Sequence, residues 1–239
     1  MSLWNRLFAD LRVPSSLSSV LTGNDPRQLA FLRAMQKEML QDRSLDEPLE
    51  HLDVVVVDLE TTGFYPQSGD EIISIGAVAM HGSTILEEET FSTLVNPCRM
   101  VPESIEALTG ISSTDVKTAP ALVDALADFF QFVAGRPLVA HHSRHEKDFF
   151  QAALWKTSRT KFTHRLLDTS LLFRLEHKIP PTSSLDTLCE LYGINVKKRH
   201  DAYFDALATA QLWSILLERV RAKGLHTLRS VYEHLSRYP

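Results

Sequence analysis

Two carboxylates follow an apolar run early in the chain. Residues 53–63 read DVVVVDLETTG, which places Asp58 and Glu60 directly after four valines. Side chains two apart along a strand point to the same face, so these two carboxylates are expected to lie side by side. Like charges that close repel each other unless a positive group lies between them. The pair therefore predicts a cation site at the end of a buried strand.

Further acidic residues stand at the expected ends of two other elements. Asp205 lies near the start of a long predicted helix, with His200 five residues earlier in the connection that leads in. The segment SRHEKDFF places Glu146 and Asp148 at the start of another helix, after the predicted strand PLVAHH. Three remote segments therefore each bring carboxylate to the end of an element.

Carboxylate oxygens grouped in this way suit Mg²⁺ or Mn²⁺, because hard cations prefer oxygen ligands. Two such ions about 4 Å apart can bind both the attacking and the leaving oxygen of a phosphodiester. A histidine, with an unperturbed pKa of about 6.5, can take the proton from the attacking water at neutral pH. The set predicts hydrolysis of a phosphate ester. Each member alone has a structural explanation, such as the helix dipole for Asp205 or surface exposure for His200.

The composition indicates a soluble, cytoplasmic protein with no membrane partner. The chain has 239 residues, 44% of them hydrophobic, which suits one domain plus an appendage. No apolar stretch approaches the roughly 18 to 20 residues of a membrane-spanning helix, and the first residues lack the apolar segment of a secretory signal. Cys98 and Cys189 lie outside any CxxC pattern, so both are expected to be reduced packing residues.

The net charge of −5 alone argues weakly against nucleic acid as a partner, since non-specific affinity comes from Lys and Arg that neutralise phosphates. Two local runs are nevertheless basic. One is WKTSRTKFTHR over 155–165, and the other is VKKRH, which puts Lys198 and Arg199 immediately before His200. Either run taken alone is explained as a solvated loop.

The elements that position these residues predict an α/β fold. The strand candidates DVVVVDLE, EIISIGAVAM and TILEEETFSTLVNP are joined by short turns and predict an antiparallel meander. Helices and strands then alternate, with strands at RPLVAHH and HRLLDT and a long final helix that starts at DAYFDAL. A mixed five-stranded sheet with helices on its faces is the simplest architecture for this order.

Residues 1–50 are predicted to form a helical extension and linker, residues 51–225 the main domain and residues 226–239 a tail. Two apolar stripes at helical spacing mark the extension. The first comprises Leu3, Trp4, Leu7, Phe8 and Leu11, and the second, in a helix that begins at Asp25 and Pro26, comprises Leu29, Leu32, Met35 and Met39. Packing against the main domain explains both stripes, and docking of a partner protein is the alternative.

The three acidic segments resemble the motifs of the DEDDh exonucleases, the family that includes the proofreading epsilon subunit of bacterial DNA polymerase III. VVDLETTG resembles the first motif, VAHHSRHEKDFFQAAL the second and HDAYFDALATAQLW the third, in the family's order. The resemblance covers about residues 52–222 and excludes the first fifty. It implies a ribonuclease H-like fold and removal of nucleotides in the 3′-to-5′ direction with two Mg²⁺ or Mn²⁺ ions.

The resemblance also implies roles for individual residues. By position, Asp58, Glu60 and Asp205 hold the metal on the nucleophile side, and Asp58 also touches the second metal. His200 is the general base, because the third motif places a histidine, four residues and then an aspartate.

The same resemblance implies a substrate-binding set. Thr61 and Thr62 match positions that lie against the terminal nucleotide, and Phe64 packs nearby. The backbone of a DNA or RNA 3′ end then runs past the basic segments, which include Lys198 and Arg199.

The second motif departs from the family pattern in two places. The family shows His-Asn, two more residues, an aromatic residue and then Asp. Aligned without a gap, the Asn is His142, here assigned to substrate binding, the aromatic residue is His145 and the acid is Glu146. The apolar pair 149–150 supports this register, which predicts that Glu146 supports the second metal, through water. Asp148, about 200° away on the helix, is the alternative ligand.

The leading interpretation is a metal-dependent 3′-5′ exonuclease that acts on single-stranded DNA or frayed 3′ ends and releases nucleoside 5′-monophosphates. DLETTG favours the polymerase-associated branch and hence DNA over RNA. An RNA 3′-end exonuclease is one alternative, and a non-catalytic nucleic-acid-binding subunit is the other, motivated by Glu146 and the helical extension. A polymerase or other protein is a candidate partner for residues 1–50.

Overall fold

The valine run forms the central strand of a five-stranded sheet. The computed structural model describes residues 26–38, 44–176 and 179–237. In the sheet, β1 (Asp53–Thr61) lies between β2 (Ile72–His81) and β4 (Leu138–Ala140), and β3 (Thr84–Leu94) and β5 (Leu166–Asp168) are the edges. The first three strands are antiparallel, whereas β4 and β5 run parallel to β1. The predicted mixed sheet is confirmed.

Helices cover both faces of the sheet. In chain order they are α1 (Pro26–Glu38), α2 (Glu103–Thr109), α3 (Ser113–Lys117), α4 (Leu122–Val133), α5 (Arg144–Ser158), α6 (Ser170–Phe173), α7 (Leu185–Tyr192), α8 (Ala202–Ala222) and α9 (Leu228–Arg237). Short 3₁₀ turns lie at Pro66–Ser68 and Arg174–Glu176. Helix α3 was not predicted, because a helix of five residues is too short to show a helical period.

The sheet has an apolar core on each side. Val54 and Val56 pack on one face with Trp213 of α8, while the other two valines of β1 pack on the opposite face against α4 and α5. On that second face, the rings of Phe129 and Phe150 stack with centroids 5.2 Å apart. A strand buried on both faces reads as a continuous apolar run, which is why the valines made β1 recognisable.

The segments before and after the main domain are packed against it where the structure describes them. Leu32 of α1 is fully buried in the same core as α4, as the packing explanation of its stripe predicts. The first stripe, the side chain of Met35 and residue Met39 lie outside the described residues. In the expected linker, Leu49 is buried and Pro48 forms a β-bridge with Thr227. The expected tail contains α9, which buries two apolar side chains in the α8 core.

The two cysteines differ in environment. Cys189 is buried on α7, as predicted. Cys98 is exposed in the turn after β3, where its backbone has a φ of 55°, so the predicted packing role is wrong for this residue. Among the described helices, none combines the length and apolar character needed to cross a membrane.

Candidate active site

The acidic residues meet at the carboxyl end of β1. Asp58, Glu60 and Asp205 each offer a carboxylate oxygen, and these oxygens all lie within 4.8 Å of one another. Strand alternation places Asp58 and Glu60 on the face of β1 that packs against α8, and Asp205 lies in the first turn of that helix. Two adjacent elements therefore deliver all three carboxylates to one point.

A glycine allows α8 to begin this close to the sheet. Gly76 of β2 pairs with Asp58 of β1. A Cβ atom at position 76 would lie 2.2 Å from the carbonyl carbon of Ala202 and from the backbone nitrogen of Tyr203. The start of α8 therefore rests directly on the backbone of β2, which brings Asp205 beside Asp58. The role of Gly76 was not predicted from the sequence, although a glycine inside a buried strand is a recognised signal of close backbone approach.

Helix α5 directs Glu146 toward this cluster and Asp148 away from it. Glu146 is 3% exposed, and its Oε2 atom has no hydrogen-bond partner among the described residues. Burial raises the pKa of Asp58 well above its ordinary range, and the neighbouring carboxylate of Glu146 raises it further. The side chain of Asp148 is 40% exposed and lies 3.6 Å from the Nε atom of Arg144. Of the two candidate acids, Glu146 is therefore the buried one, and its charge acts on Asp58.

Burial makes the other carboxylates of the site resist ionisation as well. It raises the pKa of Glu60 to about 7, with further contributions from Asp205 and Asp201. It raises the pKa of Glu146 to about 8, and the charges of Asp168 and Glu60 add to the effect. Burial also raises the pKa of Asp205. A group of oxygen ligands with raised pKa values, together with the unpartnered buried oxygen of Glu146, fits a hard divalent cation, which would supply the missing positive charge.

His200 stands at the entry to α8, directly beside the cluster. Its backbone has a φ of 57°, and its N–H donates to Oδ2 of Asp205 at 3.0 Å. A non-glycine residue in the left-handed region is uncommon and often marks a functional site. Asp201 caps the helix by accepting from the N–H of Phe204. The half-buried His200 is thus held next to a predicted metal ligand by its own backbone.

Residues 55–213 match the exonuclease family RNase_T. The chain belongs to this exonuclease family. It is 35% identical over 195 residues to a DNA polymerase III subunit epsilon-like protein of Rhodobacter capsulatus, a match that covers 81% of this chain and 28% of that protein. It is also 35% identical over 177 residues to a PolC-type DNA polymerase III of Caldanaerobacter subterraneus, covering 74% of this chain and 12% of that protein. The chain thus spans less than a third of the length of these relatives.

Solved structures of exonucleases share the fold. The nuclease domain of 3′hExo, a DEDDh family member bound to rAMP, superposes with a TM-score of 0.63 at 21% identity, over 71% of this chain and 93% of that one. Exonuclease X in complex with 5′ overhanging duplex DNA gives a TM-score of 0.56 at 20% identity, over 74% of this chain and 97% of that one. The expected ribonuclease H-like fold of the DEDDh exonucleases is confirmed.

In this exonuclease-family chain the two predicted substrate threonines hold the loop after β1. Both side chains are buried. The hydroxyl of Thr61 donates to the carbonyl of Gly63 at 2.6 Å, and that of Thr62 donates to Oδ1 of Asp70 at 3.2 Å. The structure therefore gives their hydroxyls a role in shaping the loop that follows Glu60.

Two other predicted substrate residues are exposed. Phe64 is 71% exposed, and its ring centroid is 6.1 Å from that of His145, the residue before Glu146. His142 is exposed, has a φ of 54°, and places Nε2 3.0 Å from the carbonyl oxygen of Ser183. The exposed ring of Phe64 is therefore available to a ligand at the edge of the cluster.

The two predicted basic residues differ in their partners. Lys198 is exposed, with Nζ 3.0 Å from Oδ2 of Asp201. Arg199 instead forms an ion pair with Oδ1 of Asp205 through Nη1, and a second one with Asp186. The structure thus brings Arg199, assigned to substrate by resemblance, into contact with a predicted metal ligand.

Asp168, at the end of β5, is a residue that the sequence analysis missed. Its Oδ2 accepts from the N–H of Ser143 at 2.6 Å, and its Oδ1 accepts from that of Ser170 at 2.8 Å. Although burial opposes it, these hydrogen bonds lower the pKa of Asp168. Because Ser143 directly precedes α5, the ionised Asp168 fixes the start of the helix that carries Glu146. The available signal was an aspartate at the carboxyl end of a strand, in HRLLDT.

Proposed function

We propose that this chain is a 3′-5′ exonuclease that uses two Mg²⁺ or Mn²⁺ ions to release nucleoside 5′-monophosphates from single-stranded or frayed 3′ ends of DNA. The observation that carries the proposal is the meeting of Asp58, Glu60 and Asp205 within 4.8 Å. Because the chain belongs to the exonuclease family, we infer that this cluster binds the ions needed for phosphodiester hydrolysis. Buried Glu146 and neighbouring His200 complete the set of acids and base that the chemistry requires.

Each residue has a defined part in the proposed reaction. Asp58, Glu60 and Asp205 would hold one ion, and Asp58 with Glu146 would hold the other. When bound, the ions neutralise charge on the scissile phosphate and favour ionisation of the attacking water. His200 accepts the proton of that water as general base. The bond between phosphorus and the 3′ oxygen of the preceding nucleotide breaks, so the released nucleotide keeps its 5′-phosphate.

DNA is proposed over RNA because of the sequence relatives. The two relatives at 35% identity are both named for DNA polymerase III. A structural neighbour that recognises the histone mRNA stem-loop is only 19% identical, so the likeness concerns the fold alone. Because this RNA-related neighbour shares only the fold, RNA 3′-end trimming is the second candidate. Its chemistry is the same.

Exposed aromatic side chains after β1 and on α5 support a single-stranded substrate. Phe64 and Tyr65 follow the first motif and are 71% and 67% exposed. Trp155 of α5 is 51% exposed, and the guanidinium of Arg159 lies 5.8 Å from its ring centroid. Between the loop at 66–72 and α5 is a groove of about 360 Å³ lined by Trp155 and Lys156, and Nζ of Lys156 lies 2.7 Å from Oε1 of Glu71, which also lines it. Unpaired bases stack on exposed aromatic rings regardless of sequence, and cations contact the phosphates.

Labelled oligonucleotides test the proposal directly. Matched DNA and RNA strands, labelled at either the 3′ or the 5′ end, are incubated with the full chain and Mn²⁺. We expect the 3′ label to appear first as a mononucleotide and the 5′-labelled strand to shorten stepwise, faster for DNA. Asp205→Asn, which removes one charge from the cluster, should abolish shortening but still bind the strand. Binding of every strand without shortening of any would identify a non-catalytic subunit and refute the proposal.

We also propose that the chain works in the cytoplasm with a polymerase or another protein bound through residues 1–50. The relatives named for DNA polymerase III support a polymerase partner. A pull-down with a replicative polymerase subunit, using the full chain and a chain without residues 1–50, tests this. Equal recovery of the polymerase subunit by the two chains would show that residues 1–50 are not needed for the contact.

A further inference from the structure

The guanidinium of Arg199 bridges the carboxylate cluster and a neighbouring helix. Its Nη1 pairs with Oδ1 of Asp205, while its Nε and Nη2 lie 2.5 Å and 3.3 Å from the two carboxylate oxygens of Asp186 on α7. The two acids differ greatly in environment, since the side chain of Asp205 is 5% exposed and that of Asp186 is 59% exposed. Arg199 therefore links a buried ligand to a solvated anchor.

Both oxygens of Asp205 are engaged. The N–H of His200 donates to Oδ2, and Arg199 pairs with Oδ1. Oxygens of Asp58, Glu60 and Asp205 form the cluster that fits a divalent ion. An ion in that cluster would be a dipositive charge next to a guanidinium, and like charges at such a separation repel. Arg199 and the ion therefore compete for the same carboxylate.

We propose that Arg199 is a positioning residue that releases Asp205 when divalent ions bind and then binds the phosphate of the nucleic acid, while Asp186 keeps it at the site. The phosphate contact rests on the proposed function. The guanidinium is permanently charged, and its planar fork suits a phosphate as well as a carboxylate. Asp186 lies in the first turn of α7 and keeps two oxygens on the guanidinium after Asp205 is released.

This exchange, in which Arg199 leaves Asp205 and binds phosphate, predicts that substitution of Arg199 has opposite effects on ion binding and on catalysis. In Arg199→Gln the competing charge is absent, so Mn²⁺ binding to the substrate-free protein should be about tenfold tighter, the equivalent of one charged hydrogen bond. At saturating Mn²⁺ the same variant should have at least about a tenfold lower kcat/KM, because the phosphate loses its partner. Arg199→Lys keeps the charge without the fork, so its Mn²⁺ affinity should stay near that of the native chain while its KM rises.

Neighbouring residues provide matched controls. Lys198 is one position away and exposed, and it pairs only with Asp201 among the described residues. Lys198→Gln should therefore change Mn²⁺ affinity by less than about twofold. In Asp186→Asn the anchor is weakened, so Mn²⁺ affinity should change little while kcat/KM falls with Arg199 no longer held at the site.

Titration calorimetry with Mn²⁺ alone and hydrolysis of a 3′-labelled DNA strand separate the outcomes. If Arg199→Gln is folded and binds Mn²⁺ no more tightly than the native chain, the exchange is refuted. If it binds more tightly yet cleaves at the native rate, the phosphate contact is refuted. A native chain that binds Mn²⁺ but cleaves no strand would instead refute the proposed function, and the calorimetric result for Arg199 would still decide the exchange.

Discussion

Replacement of Gly76 by alanine tests whether close contact between β2 and α8 assembles the site. Gly76 pairs with Asp58 on one side and lies beneath the backbone of Ala202 and Tyr203 on the other. The new methyl group would meet three backbone atoms at 2.2 to 2.3 Å, where ordinary contacts begin at 3.4 Å. Backbone atoms cannot turn aside as a flexible side chain can, so the start of α8 must move.

The size of the movement follows from these distances. Raising 2.2 Å to 3.4 Å requires a displacement of about 1.2 Å, and α8 carries Asp205 with it. That is a quarter of the 4.8 Å within which the three carboxylate oxygens gather. A misplacement of about 1 Å in an active site can cost on the order of 10²-fold in rate. Overpacking should also destabilise the protein by about 1–3 kcal/mol.

Gly110→Ala is the matched control for the loss of stability. Gly110 ends α2 with a φ of 75°, and a Cβ there would meet no atom within 4 Å. Its replacement should cost about 1–2 kcal/mol through the left-handed backbone alone and leave the site intact. Activity on a 3′-labelled strand and the rise in Tm caused by Mn²⁺ are then compared. Native activity and a native Mn²⁺ response in Gly76→Ala would refute the packing argument.

Two further predictions concern the buried acids. Glu146→Ala should lower Mn²⁺-dependent hydrolysis by about 10²-fold, whereas Asp148→Ala should stay within about threefold, and the reverse order in the hydrolysis assay would overturn the register. Without metal, Tm should fall as pH rises from about 6.5 to 8, because folded Glu60 and Glu146 keep protons that the unfolded chain has already released above pH 4.5. The free energy of unfolding should fall by about 2 kcal/mol across this pH range. Partial burial lowers the pKa values of the half-buried His141 and His145, so they add stability only as pH rises toward about 6.5, below this window. Glu146→Gln should make the Tm, measured by calorimetry, depend less on pH. An unchanged slope of Tm against pH would contradict the raised pKa of Glu146.

Local patterns predicted the sheet and most of the helices because those elements depend on nearby residues. Four valines in a row identify a strand buried on both faces, and Ser184 and Gly193 mark the ends of α7 as cap residues do. Contacts between distant segments leave no such pattern. The bridge between Pro48 and Thr227 joins a predicted linker to a predicted tail, and neither segment alone shows which residue it pairs with.

The same distinction applies to the site. Asp58 and Glu60 were readable because strand alternation alone places them together, whereas Arg199 was assigned to substrate because nothing in VKKRH shows that Asp186 and Asp205 flank it. Only the packing of α7 against α8 brings those two acids to one guanidinium.

Glu146 shows what a motif can identify and what it leaves out. Alignment of the second motif predicts that Glu146 is the acid, and in the structure burial raises the pKa of Glu146 to about 8. At neutral pH without metal, Glu146 therefore holds a proton that an ion must displace before the carboxylate can act as a ligand. Ion binding should thus release protons, and Mn²⁺ affinity should rise between about pH 6 and 8. Because the proton arises from burial among other acids and not from the residue type, the substitution of glutamate for aspartate could not reveal it.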